Sequence, residues 1–245
     1  MVENVRQAAV LVRAESPGRV FELYEMQRVR CSKQTVASLP EFVAIWQEYI
    51  GLMYQGMIGD QSYEDMPGNE LASRFLVVSI NTSASVFNCW LDGAYVQGLA
   101  LTRHLLDSWQ KVAYTKTHPE TANSWLSIEG RPPTPPGQNK IITQLKTDKH
   151  YKGNATVVER LYSNLNQYAH ASYKMLAAHD TGQAGQIQLG PSFNLRDAIG
   201  LARNALPATG LLATEMIHVF DLPDGWRAKN TELNTRLSVL LSKKS

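Results

Sequence analysis

Apolar residues recur at three- and four-residue steps over most of this chain, which is the periodicity of helices with one buried face. Pro, Gly and Asn/Asp breakers divide the pattern into segments. We predict helices over 5–13, 20–31, 41–58, 70–117, 122–128, 138–149, 154–179, 194–206, 209–220 and 225–241. Regular alternation occurs only at 186–190, so one short strand, or a hairpin near 186–193, is the one predicted β element.

Several residues predict how these helices begin, break and pack. The 70–117 pattern is too long for one ordinary helix, and Asp92-Gly93 is the place where we expect a bend or a break into two helices. Gly98 lies inside that segment, where a glycine favours the close approach of a neighbouring helix. Asn154 is a candidate N-cap, and Pro207 is expected to separate two helices.

The fold class is therefore predicted as an all-α bundle in a single domain, 1–245. Its Pro-rich stretch 130–137 is read as an internal connector. The 245 residues contain 44% hydrophobic and 19% charged residues, which excludes a disordered chain. A net charge of +2 provides no general basic field, so any nucleic-acid site must be local. The two cysteines, Cys31 and Cys89, favour a reducing compartment.

Targeting and membrane signals are weak in this sequence. The most apolar stretch, 75–96, is interrupted by Asn81, Asn88 and Asp92, so we expect no membrane span. The run at 8–12 is too short for a signal peptide. Both features predict a cytoplasmic protein.

Common catalytic motifs are not found: the sequence has no phosphate-binding loop, nucleophile elbow, zinc-protease, dinucleotide or EF-hand pattern. No cofactor is predicted. Glu215 and His218 have the spacing that places a carboxylate and an imidazole on one helix face. They could form a metal centre, but no other histidine has Glu three residues before it. The alternative is a hydrogen-bonded pair on a buried helix.

Two helices carry polar residues beside their apolar faces. On 91–114 the face opposite the core contains Gln97, Arg103, His104, Asp107, Gln110, Lys111 and Tyr114. Arg103 and Asp107 are one turn apart, and the commonest explanation of such a pair is a solvated surface ion pair. On 154–179 a column of side chains runs along one flank, at Tyr162, Asn166, His170 and Tyr173. This column is the best candidate site, and its alternative is an inert seam within the bundle or a dimer interface.

These same residues carry a family resemblance. The segment 98–109, containing Arg103, Leu105, Leu106 and Asp107, is followed by His118-Pro119-Glu120 and Trp125. It resembles a group of uncharacterised bacterial all-helical proteins with an Arg-x-Leu-Leu-Glu element. Tyr162, Leu165, Asn166 and His170 resemble a second element of that group, Tyr-x-x-Leu-Ser-x-x-x-His, with Asn in place of Ser. The likeness covers about 85–180.

More distantly, this group is similar to the HEPN superfamily, many of whose members are dimeric, metal-independent ribonucleases. The resemblance implies a degenerate RNA- or nucleotide-handling site. His170 would be the base, Arg103 would bind phosphate and Asp107 would orient Arg103, with Asn166 beside them and Tyr162 and Tyr173 contacting substrate. We expect Arg103 and Asp107 to lie across a cleft from Asn166 and His170.

The alternative function is a non-enzymatic dimeric protein, an antitoxin-like or scaffold partner for another protein. Self-association is expected under both readings. Its predicted surface consists of aromatic residues of the kind enriched at interfaces: Trp90, Trp109, Tyr162, Tyr168 and Tyr173.

Overall fold

The computed structural model of the chain describes residues 17–58, 68–125, 136–169 and 190–243, and helices make up 88% of them. We number the eight α-helices of these ranges in chain order: α1 Pro17–Ser38, α2 Pro40–Ile58, α3 Asn69–Leu91, α4 Tyr95–Thr117, α5 Gln138–Thr147, α6 Lys152–Ala169, α7 Leu195–Val219 and α8 Asp224–Ser242. A 3₁₀ helix, Pro119–Trp125, follows α4. These ranges contain no strand, which confirms the predicted all-α class. Residues 186–189 of the predicted strand lie outside them.

Helix α4 is the central element of the bundle. It packs against α3, α5, α6 and α7, and one continuous apolar cluster runs from α2 to α8. Trp90 and Trp109 are fully buried in that cluster, where Trp90 also donates to the carbonyl of Ala198 at 2.8 Å. The prediction that these two indoles are interface surface is therefore wrong, because the packing of α3, α4 and α7 encloses both rings.

The corner between α3 and α4 confirms the break predicted at Asp92-Gly93. α3 ends at Leu91 and α4 begins at Tyr95, and Gly93 adopts a left-handed backbone with φ of +75°. The backbone of Ser192 crosses directly over this corner, so that a Cβ on Gly93 would lie 2.5 Å from the Ser192 carbonyl oxygen. Gly93 is thus required both by its φ angle and by this contact.

Gly98 lies where α4 crosses α7. A Cβ at this position would be 2.4 Å from a methyl group of Leu201, which is itself fully buried. The expectation that Gly98 admits a close neighbouring helix is confirmed.

Pro207 and Asn154 do not bound helices as predicted. Pro207 does not separate two helices: α7 is continuous, and the buried residues Ala205, Leu206 and Ala208 around the proline hold it in the core. Asn154 is not an N-cap, because α6 already begins at Lys152. The carboxylate of Asp148 instead accepts the backbone N–H groups of residues 150 and 151, at 2.8 and 3.2 Å.

Helix α8 is held on α2 by polar contacts at its start and along its length. The Trp226 indole donates to the carbonyl of Leu52 at 2.8 Å. Further along α8, Arg236 binds both oxygens of Glu48 at 2.8 and 2.9 Å, and Lys229 reaches the same carboxylate at 2.8 Å. These hydrogen bonds lower the pKa of Glu48 to about 2. Contacts between distant parts of the chain therefore set the register of α8 on α2.

Candidate functional site

Polar side chains form a line along α4, which we call the α4 strip: Arg103, Asp107, Gln110 and Tyr114. Steps of four, three and four residues place them on one side of the helix. Arg103 and Asp107 are half-buried, and Gln110 and Tyr114 are each only 2% exposed. The predicted polar face of α4 is therefore solvated only in part: Gln97 and His104 are exposed, whereas the α4 strip is covered by neighbouring elements.

Arg103 joins α4 to α6. Its Nη2 donates to the hydroxyl of Tyr162 at 2.6 Å, and the guanidinium carbon lies 4.8 Å from the centre of the same ring. The guanidinium is thus fixed by a charge-assisted hydrogen bond and by a cation–π contact. The orientation of Arg103 is set by a residue 59 positions later in the chain.

Asp107 lies one turn beyond Arg103 and shares its environment. Burial raises the pKa of this carboxyl, and the opposing effects of Arg103, Lys111, the Tyr162 hydroxyl and His104 are smaller. Burial likewise raises the pKa of the Tyr162 hydroxyl, while its hydrogen bond from Arg103 acts in the opposite direction. The three groups form one coupled cluster of a cation, a phenol and a carboxyl.

Gln110 continues the α4 strip into the interior. Both the oxygen and the nitrogen of its carboxamide are buried, and neither has a hydrogen-bond partner among the residues that the structure describes. A buried amide without partners costs about 1–3 kcal/mol, so such a group calls for a specific reason. Gln110 was on the predicted polar face but was not predicted as a site residue. Its signal in the sequence was its step of seven from Arg103.

Lys111 flanks the α4 strip on its outer side. Its ammonium lies 5.3 Å from the ring centre of Phe75 and 5.9 Å from that of Trp125, whose rings meet edge to face. A second cation is therefore held in place one turn beyond Asp107.

The other predicted site residues are placed differently. Asn166 lies on α6 one turn beyond Tyr162, with its side chain exposed. His170 and Tyr173 lie outside the described residues. The structure thus brings Arg103, Asp107 and Tyr162 together. No hydrogen bond within the described ranges joins Asn166 to this cluster.

Glu215 occupies a second polar cluster, deep between α4, α6 and α7. It is 2% exposed and accepts hydrogen bonds from the indole of Trp109 at 3.0 Å and from the hydroxyl of Tyr151 at 3.1 Å. Burial raises its pKa to about 7, although both donors act to lower it. His218 is exposed, and within the described residues no hydrogen bond joins it to Glu215, whose donors are Trp109 and Tyr151. The predicted Glu215–His218 pair is therefore wrong. The true partners, 106 and 64 residues away, leave no local sequence signal.

The metal alternative for Glu215 and His218 also lacks a ligand set. Within the described ranges, no three His, Cys, Asp or Glu side chains are grouped closely enough to hold an ion. The Glu215 oxygens are occupied by two protein donors instead.

The chain was compared with protein families, with curated proteins and with solved structures, and none of them matches it. The Arg103–Tyr162–Asp107 cluster provides an oriented cation, and Gln110 provides a carboxamide with one donor end and one acceptor end. This combination is suited to binding a ligand that carries both an anion and a polar edge.

Proposed function

We propose that the α4 strip, together with Tyr162, binds RNA or a nucleotide. The observation that carries the proposal is the placement of the Arg103 guanidinium, held by Tyr162, on the same side of α4 as the unsatisfied carboxamide of Gln110. A guanidinium has five N–H donors in one plane, so it can bind a protein partner and a phosphate together. A carboxamide is the group that pairs with the donor–acceptor edge of a base.

The dimensions of the α4 strip fit this ligand class. Seven residues of helix separate Arg103 from Gln110, a rise of about 10 Å, which is comparable to the distance from a phosphate to the far edge of its base. Tyr162 is half-buried at the Arg103 end, and the guanidinium lies over one face of its ring. In this proposal a base stacks on the other face. The ligand must open the covering over Gln110 to reach it, since that side chain is 2% exposed.

If this site is catalytic, we propose that it cleaves RNA by a metal-independent, HEPN-like reaction. His170 is then the base that activates the RNA 2′-hydroxyl, and Arg103 stabilises the charge on phosphorus. Asp107 positions Arg103. This assignment of His170 rests on the sequence, because the residue lies outside the described ranges.

The second candidate is a non-enzymatic interaction protein of the antitoxin-like or scaffold type. It is favoured by one observation: Asn166 lies in solvent, while Arg103 is bonded to Tyr162, so the cluster also serves to fasten α6 onto α4.

Both candidates are proposed as cytoplasmic. Cys31 and Cys89 are both free, as expected in a reducing compartment, and no helix of the described ranges is apolar and long enough to cross a bilayer.

Arg103→Ala is expected to weaken binding of a labelled single-stranded RNA by at least about tenfold, because one charge-assisted phosphate contact is worth about 1.5–3 kcal/mol. Fluorescence anisotropy in EDTA measures the affinity. Arg74→Ala is the matched control, since Arg74 is an exposed arginine on α3 whose ion pair with Glu70 is local. If wild type cleaves RNA, His170→Ala should abolish cleavage and retain binding.

Two results would contradict this assignment. Equal affinities for wild type and Arg103→Ala would show that RNA binds elsewhere. If wild type neither binds nor cleaves RNA, the interaction-protein reading replaces the proposed function.

Gln110→Met is expected to have opposite effects on two properties: it should stabilise the protein and weaken RNA binding. Removing a buried carboxamide without partners should raise the free energy of unfolding by about 1 kcal/mol, because methionine fills the same space without a desolvated polar group. The same change should weaken RNA binding about tenfold by removing the contact to the base. Urea unfolding and anisotropy measure the two effects. A variant that is more stable and binds RNA as well as wild type would exclude Gln110 from the site.

A further inference from the structure

Tyr151 holds the corner between α5 and α6 against the rest of the bundle. The corner follows Thr147, and none of residues 146–154 around it except Tyr151 contributes an aromatic or large apolar side chain. The Tyr151 ring is packed on the core and meets the Trp109 indole edge to face, with 6.1 Å between the ring centres. Its hydroxyl donates to the carboxylate of Glu215 at 3.1 Å. The side chain of Tyr151 therefore fixes the corner to α4 and α7.

Glu215 is an unusual partner for this contact, because it places a carboxyl group in the apolar interior. Glu215 is 2% exposed, and its two donors, the Trp109 indole and the Tyr151 hydroxyl, are both neutral. Burial and the adjacent Glu215 raise the pKa of Tyr151, so this hydroxyl keeps its proton. A buried carboxylate with only neutral partners is much less stable than one that reaches water. Ionisation of Glu215 thus favours any movement that hydrates it.

From this arrangement we infer that the contact between Glu215 and Tyr151 is a pH-sensitive latch, which keeps the α5–α6 corner closed only while Glu215 carries its proton. When Glu215 releases that proton to solvent, the corner moves away from α4 and α7 and water reaches the carboxylate. Burial raises the pKa of Glu215 to about 7, so this change falls near neutral pH. The inference does not depend on RNA binding.

The helices on both sides of the corner are anchored separately from it, which confines the opening. Leu145 near the end of α5, and Ala155 and Val158 in α6, are fully buried. In addition, Lys146 of α5 is paired with Glu159 of α6. The residues between Leu145 and Ala155 can therefore leave the surface of α4 and α7 while the rest of α5 and α6 remains packed.

Other charged groups of the described ranges surround the latch: Lys116 on α4, Asp148 and His150 at the corner, His218 on α7 and Arg227 on α8. As the pH falls, the two histidines gain positive charge and repel each other and Lys116, which loosens the corner. Protonation of Asp148 weakens its bonds to the N–H groups of residues 150 and 151, with the same result. These groups therefore loosen the corner on the acid side, whereas Glu215 loosens it as the pH rises.

Hydrogen exchange of the corner amides from pH 4.5 to 8, corrected for intrinsic base catalysis, tests the latch. The amides of residues 150–152 should lose protection about a hundredfold as the pH rises, because opening returns the pKa of Glu215 from about 7 to 4.5. Glu215→Gln should remove this dependence, since glutamine does not titrate. At pH 8 the corner amides should exchange about tenfold faster than those of 105–109 in the core of α4, which report global unfolding.

His150→Gln is the matched control, because His150 is exposed and its charge acts in the opposite direction. This variant should keep the wild-type dependence, and circular dichroism should show that both variants retain their helix content. Protection that does not change with pH, or that decreases toward low pH, would overturn the inference. Persistence of the wild-type dependence in Glu215→Gln would overturn it too. Corner amides that exchange no faster than those of 105–109 would show that Glu215 acts on the whole protein and that no latch exists.

Discussion

Gly93→Ala is expected to lower the free energy of unfolding by about 3 kcal/mol, through two effects that add. A side chain at φ of +75° is strained by about 1 kcal/mol or more. In addition, the new methyl group would be 2.5 Å from the carbonyl oxygen of Ser192 and 3.0 Å from two further atoms of its backbone. The Ser192 backbone cannot rotate away as a side chain can. The α3–α4 corner and the segment before α7 must therefore move apart.

Gly200→Ala is the matched control for that variant. Gly200 lies inside α7, and a Cβ there would meet nothing within 4 Å. Because alanine is the better helix former, this change should stabilise the protein by about 0.5–1 kcal/mol. Chemical denaturation of the two variants compares them directly. Equal stabilities would contradict the close contact between the α3–α4 corner and Ser192.

Glu215→Gln is expected to stabilise the protein at pH 8 by about 3 kcal/mol and to have little effect near pH 4.5. The folded protein raises the pKa of Glu215 from 4.5 to about 7, so the folded state binds the proton more tightly than the unfolded state. Stability therefore decreases as the pH rises from 4.5 to 7, and the ionised carboxylate carries the full penalty above pH 7. Glutamine removes this penalty and can still accept from the Trp109 indole.

The measurement is the difference in unfolding free energy between wild type and Glu215→Gln from pH 4.5 to 8. Glu48→Gln is the control with the opposite sign. The pKa of Glu48 is lowered to about 2, so its contribution is present above pH 4.5 and is lost as the pH falls toward 2. Its side chain is 32% exposed, so we expect only about 1 kcal/mol from it at pH 7. A difference for Glu215→Gln that does not change with pH would refute its raised pKa.

The helices were predictable because the apolar periodicity and the residues that break it lie within each segment of the sequence. The break at Asp92-Gly93 and the close contact at Gly98 both follow from what a glycine permits within a helical pattern. Pro207 shows the limit of such reasoning. A proline removes one hydrogen bond, but burial of the residues around it outweighs that loss, and burial depends on partners distant in the sequence.

The candidate site was predictable only in part, for the same reason. Helical spacing identified Arg103 and Asp107 as neighbours and placed Tyr162 on a polar flank of another helix. The spacing could not show that this face of α4 is covered, and so it did not single out Gln110. Hydrophobic periodicity assumes that polar residues face water, and the α4 strip departs from that assumption.

Helix α8 can cover α2 only after the ribosome has synthesised all the segments between them. Trp226 and Arg236 contact residues that precede them by 174 and 188 positions. While the ribosome is still making the segments between them, the apolar side of α2 has no α8 to cover it. The nascent chain therefore exposes this surface throughout most of translation, which makes it a natural target for chaperones that bind emerging hydrophobic segments.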